Sequence, residues 1–206
     1  MSSRFDEAAG TWDASARRRE LAGAIGKAIE AAIALDQDMD LLDVGAGTGL
    51  LTGGICARVR SITALDDSGG MIDELREKSR NWSGCRVVPI KADIMTFRTD
   101  QRFHGIVSSM TMHHIRDTDA FFVKLASLLE PGGFVAIADL ADDDGTFHEH
   151  GNEGVCHFGF PREDLDRVAR GAGFTGCCWE VVHTIRKEGR GRSYDVFLFT
   201  ARLEPV

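Results

Sequence analysis

Two groups of residues have the types and spacing of a nucleoside-binding site. Three glycines alternate with other residues in Gly45-Ala46-Gly47-Thr48-Gly49, directly after the apolar run 40–44. Because they lack a Cβ, such glycines let the backbone turn sharply and approach a ligand closely. Asp66 ends the next apolar run, 21 residues after Gly45. An acid at that distance is placed to accept hydrogen bonds from both hydroxyls of a ribose.

The residues around the glycines discriminate between possible ligands. The dinucleotide fingerprint G-x-G-x-x-G/A needs a third small residue, and Leu50 occupies that position. No GK[ST] follows the glycines, which excludes a P-loop. Asp43, at the end of the preceding apolar run, would repel a pyrophosphate but suits a ligand with an ammonium group. These charges favour S-adenosylmethionine over NAD, and an NAD-dependent oxidoreductase is the alternative.

Short apolar runs alternate with helical patterns between residues 40 and 140. Runs that end in turn residues or acids predict five strands, at 40–44, 61–66, 85–93, 104–110 and 133–140. Helical spacing and capping signals predict the helices between them, at about 49–58, 69–81 and 117–129. Strands and helices in this alternation form right-handed βαβ units, so we expect a parallel sheet that is covered on both faces.

The two ends of the chain carry different patterns. Residues 15–34 have apolar side chains at helical spacing and predict an amphipathic helix. Near the other end, a helix over 161–174 is followed by two strands, at 176–184 and 193–202. The basic turn between these strands is too short for a crossover connection, so they are expected to form an antiparallel hairpin.

Five motifs in order resemble those of the class I S-adenosylmethionine-dependent methyltransferases, in the small-molecule (type 11/12-like) group. They are LLDVGAGTGL (41–50), ITALDDSGGMI (62–72), KADI (91–94), FHGIVSSMTMHHI (103–115) and LLEPGGFVAIAD (128–139). The resemblance covers residues 5–202. It implies a Rossmann-like, doubly wound α/β fold with a seven-stranded sheet, mostly parallel with a C-terminal antiparallel hairpin, and helices on both faces. It also implies S-adenosylmethionine as cofactor and methyl transfer to an oxygen, nitrogen or carbon atom of a small-molecule acceptor.

The resemblance also assigns roles to individual residues. Asp66 is the ribose acid, Met71 packs near the adenine, Asp93 meets the adenine amino group, and Ile94 lies beside it. The complete implied cofactor set is Trp12, Asp43, Gly45, Ala46, Gly47, Asp66, Asp67, Met71, Ala92, Asp93, Ile94, Ser109, Met110 and His113. The sequence departs from the family at His104, where an acid is usual. His104 begins its strand, away from the carboxyl ends, so we interpret it as structural.

Histidines that follow the fourth and fifth strands are the candidate catalytic residues. Methyl transfer mainly requires that the reacting atoms be held in line, and some nucleophiles also need a base. His113 is one candidate, although packing against the cofactor or capping of the next helix is favoured. His148, His150 and His157 lie in a long polar segment, in which they either contact substrate, act as a base or are solvated. The His-x-His spacing can ligate a metal, but no partner pattern accompanies it, and no metal is expected.

We expect a single methyltransferase domain over 1–206, with a lid and helix at 1–35 and a cover over the active site at 141–160. Phe5 and Trp12 are expected ahead of the first helix, with Trp12 either in the lid or anchoring that helix to the core. A catalytically inactive S-adenosylmethionine-binding protein is a further alternative.

The composition excludes several classes of partner. The net charge of −8 argues against nucleic-acid binding, and no run approaches the length of a membrane-spanning helix. Five cysteines without a CxxC pair, and no signal peptide, predict free and mostly buried thiols in the cytoplasm. A monomer or homodimer is expected.

Overall fold

Seven strands form one mixed sheet in the computed structural model, which describes residues 2–141, 143, 145–147, 152–187 and 192–205. The strands are β1 (Asp40–Val44), β2 (Ser61–Asp66), β3 (Arg86–Lys91), β4 (Phe103–Ser109), β5 (Leu129–Leu140), β6 (Phe174–Lys187) and β7 (Arg192–Leu203). Their order in the sheet is β3-β2-β1-β4-β5-β7-β6. The first five are mutually parallel, and β7 runs antiparallel to both β5 and β6. This arrangement confirms the predicted fold class, including the C-terminal hairpin.

Helices cover both faces of this sheet. They are α1 (Ser2–Trp12), α2 (Ala16–Ala32), α3 (Leu50–Ile55), α4 (Gly69–Ser79), α5 (Thr118–Leu128) and α6 (Arg162–Gly171). Short 3-10 turns at Cys56–Arg58 and Met112–His114 add to them. Within the described residues, no helix combines the length and the apolar character that crossing a bilayer requires.

Alternation along the strands divides the core into two layers, because successive strand residues point to opposite faces. Leu41 of β1 packs with Ile25 of α2 and Ile55 of α3. The next residue, Leu42, packs on the other face in the cluster that contains Phe122 of α5. In a parallel sheet that is buried on both faces, each strand is therefore a continuous run of apolar residues, and such runs can be recognised in the sequence.

Two features differ from the sequence-based expectations. Phe5 and Trp12 lie within α1 instead of preceding the first helix. The helix packs closely on the start of α4, where a Cβ added to Gly70 would lie 2.9 Å from the Cα of Asp6. The cysteines are also less buried than expected, since Cys156 and Cys178 are both exposed.

Candidate active site

The carboxyl ends of the parallel strands meet at one edge of the sheet, and most of the predicted site residues lie there. The chain passes from β1 outward through β2 to β3, and then returns to β4 on the other side of β1. Such a reversal of strand order opens a crevice between the two central strands, here β1 and β4, and α/β folds bind ligands in it. The loops after β1, β2, β3 and β4 surround this crevice.

The loop after β1 needs glycine at two positions for different reasons. Gly45 has φ +70°, and an added Cβ would lie 2.1 Å from Oγ1 of Thr111 in the loop after β4. The absence of a Cβ lets the two loops approach, and the hydroxyl of Thr111 donates to the carbonyl of Gly45 at 3.3 Å. Gly47 has φ +54°, but an added Cβ would meet no atom nearer than the sulfur of Met71 at 4.0 Å. The loop therefore presents an open backbone face at Gly47, which is the kind of cradle that a nucleoside needs.

Asp66 faces this cradle from the end of β2. Its Oδ2 accepts the backbone N–H of Gly47 at 2.8 Å, and its Oδ1 accepts that of Ser68 at 2.9 Å. Burial raises the pKa of Asp66 above its usual value. A carboxylate has about four lone-pair positions, so two backbone donors leave capacity for two hydroxyl donors. The next residue, Asp67, is exposed at the same edge.

Asp43 lies beneath the glycine loop and not in the open crevice. Its side chain is 1% exposed, and Oδ2 accepts the hydroxyl of Thr52 in α3 at 2.5 Å. Burial raises the pKa of Asp43 to about 7. A cation brought to the loop would favour the ionised form of this acid, so its position remains compatible with the predicted preference for a positively charged ligand.

The loop after β3 supplies a polar group and an apolar surface. Asp93 is exposed, and its Oδ1 accepts the N–H of Met95 at 2.7 Å, which closes a turn. The N–H of Ala92 donates to the carbonyl of Asp66 at 2.9 Å, so the loops after β2 and β3 are joined. Ile94 and Met71 are both at least 95% buried. An acid beside apolar side chains is a chemically suitable surface for an adenine.

The loop after β4 begins with an unfavourable backbone conformation. Met110, next to Ser109, has φ +56°, the only positive φ at a residue other than glycine among the described residues. Its N–H donates to the carbonyl of Ala138 in β5 at 2.8 Å. Left-handed backbone at such a residue costs roughly 1–2 kcal/mol. Strain of this kind concentrates at functional sites.

His113 forms a buried pair with Asp139, a residue that the sequence analysis did not single out. Their side chains are 3% and 0% exposed, and Nδ1 of His113 lies 2.7 Å from Oδ1 of Asp139. The backbone N–H of His113 also donates to Oδ2 of Asp139, at 3.1 Å. Burial alone would lower the pKa of His113, but the charge and the hydrogen bond of Asp139, together with the charge of Asp143, outweigh it and raise the pKa. The same pairing lowers the pKa of Asp139 despite its burial.

The first helix lies across the open edge of the site. At one end, the ring of Phe5 is 5.6 Å from that of His114. In the middle, Oδ1 of Asp6 accepts the hydroxyl of Ser68 at 2.6 Å and the N–H of Gly70 at 2.8 Å, at the start of α4. Just after the helix, Asp13 accepts the hydroxyl of Thr48 at 2.5 Å. The helix and the residue after it therefore contact the loops after β1, β2 and β4.

The structure gives the contacts of Trp12 and of one histidine in the long segment. Trp12 stacks under the guanidinium of Arg18, 3.6 Å from its ring centre. Nε2 of His157 is 2.9 Å from the carbonyl oxygen of Ile115, so this histidine ties the segment to the loop after β4. His148 and His150 lie outside the described residues. Among the residues that the structure does describe, no three His, Cys, Asp or Glu side chains converge as a metal site.

The position of His104 agrees with its interpretation as a structural residue. It stands at the amino end of β4, and its Nδ1 accepts the backbone N–H of Asp40, at the start of β1, at 3.1 Å. This end of the sheet is opposite to the crevice. The departure from the family pattern at this position therefore affects strand packing and not the site.

Comparisons with known proteins find similarity to methyltransferases. Residues 41–133 match a family model described as a methyltransferase domain. An uncharacterized methyltransferase of Schizosaccharomyces pombe is 33% identical over 136 residues, which cover 59% of this chain and 48% of that protein. A second relative, from Mycobacterium tuberculosis, is 34% identical over 98 residues, or 47% of this chain and 48% of that protein. The chain thus spans about half the length of these curated relatives.

Solved structures share the fold over almost the whole chain. A methyltransferase of Haloferax volcanii, solved with the Trm112 methyltransferase activator, has a TM-score of 0.78 and 14% identity, with 97% of both chains covered. The structure of DhpI in complex with SAH has a TM-score of 0.75 and 22% identity, over 99% of this chain and 95% of that chain. At these identities the likeness establishes the fold.

Proposed function

We propose that the chain is a class I S-adenosylmethionine-dependent methyltransferase, which transfers the methyl group of S-adenosylmethionine to a small-molecule acceptor. One observation carries the proposal: Asp66 faces the open backbone at Gly47, and its carboxylate is placed to accept hydrogen bonds from ribose hydroxyls. The DhpI structure, which has the same fold, holds SAH. The net charge of −8 favours a small molecule over a nucleic acid as acceptor.

We assign the ligand contacts by the chemistry of each group. Asp66 binds the ribose, and Asp93, Ala92, Ile94 and Met71 bind the adenine. The loop after β1 and the loop after β4 hold the methionine part between them; Asp67, Ser109 and Met110 border this surface. Asp43 acts from beneath the loop, where an ionised carboxylate attracts the ligand's positive charge.

S-adenosylmethionine is already activated for methyl transfer, because its methyl carbon is bonded to a positively charged sulfur. A lone pair of the acceptor forms the new bond to carbon as the carbon–sulfur bond breaks, and the sulfur keeps that electron pair as a thioether. The chain's contribution is to hold nucleophile, carbon and sulfur in line, which supplies up to about 7–11 kcal/mol in well-aligned systems. Where the nucleophile carries a proton, that proton passes to a base or to water.

We propose that His113 positions the loop after β4 and is not the base. Its imidazole is buried, and Asp139 binds both its Nδ1 and its backbone N–H. These contacts occupy Nδ1 and fix the loop after β4 relative to β5. His148, His150 and His157 keep the proposed roles in acceptor contact or proton removal, and alanine variants with unchanged turnover would exclude such roles.

We also propose that residues 1–206 act as one domain with two covers over the crevice. Residues 1–35 provide a lid, in which α1 is fastened to the loops by Asp6 and Asp13. Residues 141–160 cover the side of the crevice near β4 and β5. The experiment that tests the function is a titration with S-adenosylmethionine, followed by transfer of a labelled methyl group to a broad panel of acceptors.

A further inference from the structure

One carboxylate oxygen near the site has no partner. Oδ2 of Asp143 is removed from solvent and takes no hydrogen bond. The other oxygen, Oδ1, accepts the N–H of Gly145 at 2.5 Å and that of Thr146 at 3.1 Å, so it alone closes the local turn. Leaving a buried polar oxygen without a donor costs free energy, and the cost is larger for a charged group. Oδ2 of Asp143 is therefore a hydrogen-bond acceptor for which none of these contacts supplies a donor.

Backbone hydrogen bonds place Asp143 beside the loop that carries His113. The N–H of Asp143 donates to the carbonyl of Phe158 at 2.8 Å, and the N–H of Phe160 donates to the carbonyl of Leu140 at 3.0 Å. The same segment reaches the loop after β4, because the N–H of Cys156 donates to the carbonyl of His113 at 2.8 Å. The negative charge of Asp143 accordingly supports, after that of Asp139, the raised pKa of His113.

The position in the sheet places Asp143 on the acceptor side of the crevice. Asp66 and Asp93 follow β2 and β3, on one side of β1, and they define where the adenosine lies in the proposed function. With the adenosine placed there, we expect the methyl end of the donor to lie on the other side of β1, where β4 and β5 are. Asp143 follows β5 by three residues. It therefore lies on the side from which we expect the acceptor to approach.

An aromatic ring accompanies the carboxylate. The side chain of Phe158 is 45% exposed, which is unusual for a large apolar residue in this chain. Its ring lies over Gly145, where an added Cβ would be 3.4 Å from three ring carbons. A carboxylate and an aromatic face are the two groups that bind organic cations, the first by charge and the second through its π electrons.

The cationic side chains nearby have other partners. Nη1 of Arg192 donates to Oγ1 of Thr146 at 3.2 Å, and Nζ of Lys187 donates to the carbonyl of Phe147. In the part of the chain that the structure describes, neither one pairs with Asp143. We propose that Asp143 and Phe158 bind a positively charged nitrogen of the methyl acceptor, so that the acceptor class is organic amines. The bound ammonium then gives a proton to a base or to water, and the lone pair that this frees attacks the methyl carbon. This inference rests on the proposed function.

Direct binding to the protein loaded with S-adenosylhomocysteine tests the cation site without requiring turnover. The probes are butylammonium and tetramethylammonium, with 1-butanol as the neutral counterpart of the first, followed by NMR line broadening of the probe. We expect both ammonium ions to bind about tenfold or more tightly than 1-butanol, since hydrogen bonds to charged groups are the stronger ones. Equal binding of butylammonium and 1-butanol would overturn the inference.

Two variants with the same change of charge locate the effect. Asp143→Asn keeps the oxygen that closes the turn and should weaken ammonium binding about tenfold or more. Asp36→Asn is the matched control, because Oδ1 of Asp36 closes a similar turn to the N–H of Asp38 at 2.9 Å, before β1 and far from the crevice. Unchanged affinity for S-adenosylhomocysteine verifies folding in both. Equal ammonium binding by Asp143→Asn and the wild-type protein would contradict the assignment.

Turnover separates this inference from the proposed function. Methyl transfer to amines, with a KM that rises in Asp143→Asn and a kcat that changes little, supports both. An ammonium site that depends on Asp143, in a protein that transfers no methyl group, would overturn the proposed function and the acceptor role of the site. Transfer to neutral acceptors with the same KM in both proteins would overturn the cation site alone.

Discussion

Replacement of Asp139 by asparagine removes one charge from the buried pair with His113. Asparagine has nearly the same shape and keeps an oxygen for Nδ1 of His113, so the change isolates the charge. In the wild-type protein, the two side chains are 2.7 Å apart and almost completely buried. Breaking a buried pair by removing one partner costs about 3–5 kcal/mol in the free energy of unfolding. For a domain of this size, that corresponds to a fall in Tm of roughly 6–20 °C.

The pKa shifts of Asp139 and His113 determine how the loss of stability in Asp139→Asn varies with pH. The pKa of Asp139 is lowered from 3.8, so its contribution is present above pH 3.8 and is lost as the pH falls through the folded-state value. The pKa of His113 is raised from 6.5, so its contribution is complete below pH 6.5 and is lost as the pH rises through the folded-state value. The difference in stability between wild type and Asp139→Asn should therefore be largest between about pH 4 and 6.5 and shrink at higher pH.

Urea unfolding at half-unit steps from pH 4.5 to 9 measures this difference. Asp119→Asn is the matched control, because its partner Arg167 is 3.4 Å away and both side chains are more than 60% exposed. That variant should lose less than about 1 kcal/mol at every pH. A difference for Asp139→Asn that stays below about 1 kcal/mol, or that grows as the pH rises above 6.5, would refute the pairing of a charged His113 with Asp139.

Three further predictions concern the crevice. Asp66→Asn should weaken binding of S-adenosylmethionine by about 10- to 100-fold in calorimetry, whereas the control Asp73→Asn, at an exposed side chain of α4, should bind it with the wild-type affinity. Equal affinities of Asp66→Asn and the wild-type protein would show that Asp66 does not bind the ribose. Gly45→Ala should abolish binding of S-adenosylmethionine and lower Tm, because the added Cβ would lie 2.1 Å from Oγ1 of Thr111. The control Gly23→Ala, where a Cβ meets nothing within 4 Å, should add about 0.5–1 kcal/mol to the free energy of unfolding. Unchanged binding and Tm in Gly45→Ala would disprove the close approach of the two loops. Asp6→Ala should release α1 and speed trypsin cleavage at Arg17–Arg19, and cleavage at the wild-type rate would count against Asp6 as the fastener of the lid.

The sheet was predictable because its information is local. The runs 40–44 and 61–66 coincide with β1 and β2 to the residue, since strands buried on both faces are apolar without interruption. The hairpin followed from the short turn before β7. The glycine loop and Asp66 were also predictable, because the chemistry of their ligand requires those residue types at the ends of neighbouring strands.

The first helix was not predictable from a local pattern. Its sequence has few large apolar residues, and among residues 4–12, whose burial the structure describes, only Ala9 belongs to the buried core. What holds it is tertiary: Asp6 caps α4, and Gly70 allows the two helices to approach closely. Such contacts join residues more than 60 positions apart, and no local periodicity reports them.

Asp139, near the end of β5, and Asp143, which follows the strand, show how far sequence reasoning reaches. Asp139 ends an apolar run as Asp66 does, so the same rule would have marked it as a residue of the edge. Its pairing with His113 depends on the register that places Ser109 beside Ala138, which only the sheet defines. Asp143 is the middle one of three consecutive acids. Its selection depends on the turn that Gly145 and Thr146 close, and this turn leaves Oδ2 without a partner.

Calorimetric titration of the wild-type protein with S-adenosylmethionine and, separately, with NAD tests the central claim most directly. We expect saturable binding of S-adenosylmethionine at one site per chain and no binding of NAD, because Asp66 faces the glycine loop, Asp43 lies beneath it, and Leu50 takes the place of a small third residue. Labelled methyl groups should then appear in at least one amine of an acceptor panel. Binding of NAD in the absence of S-adenosylmethionine binding would contradict the account.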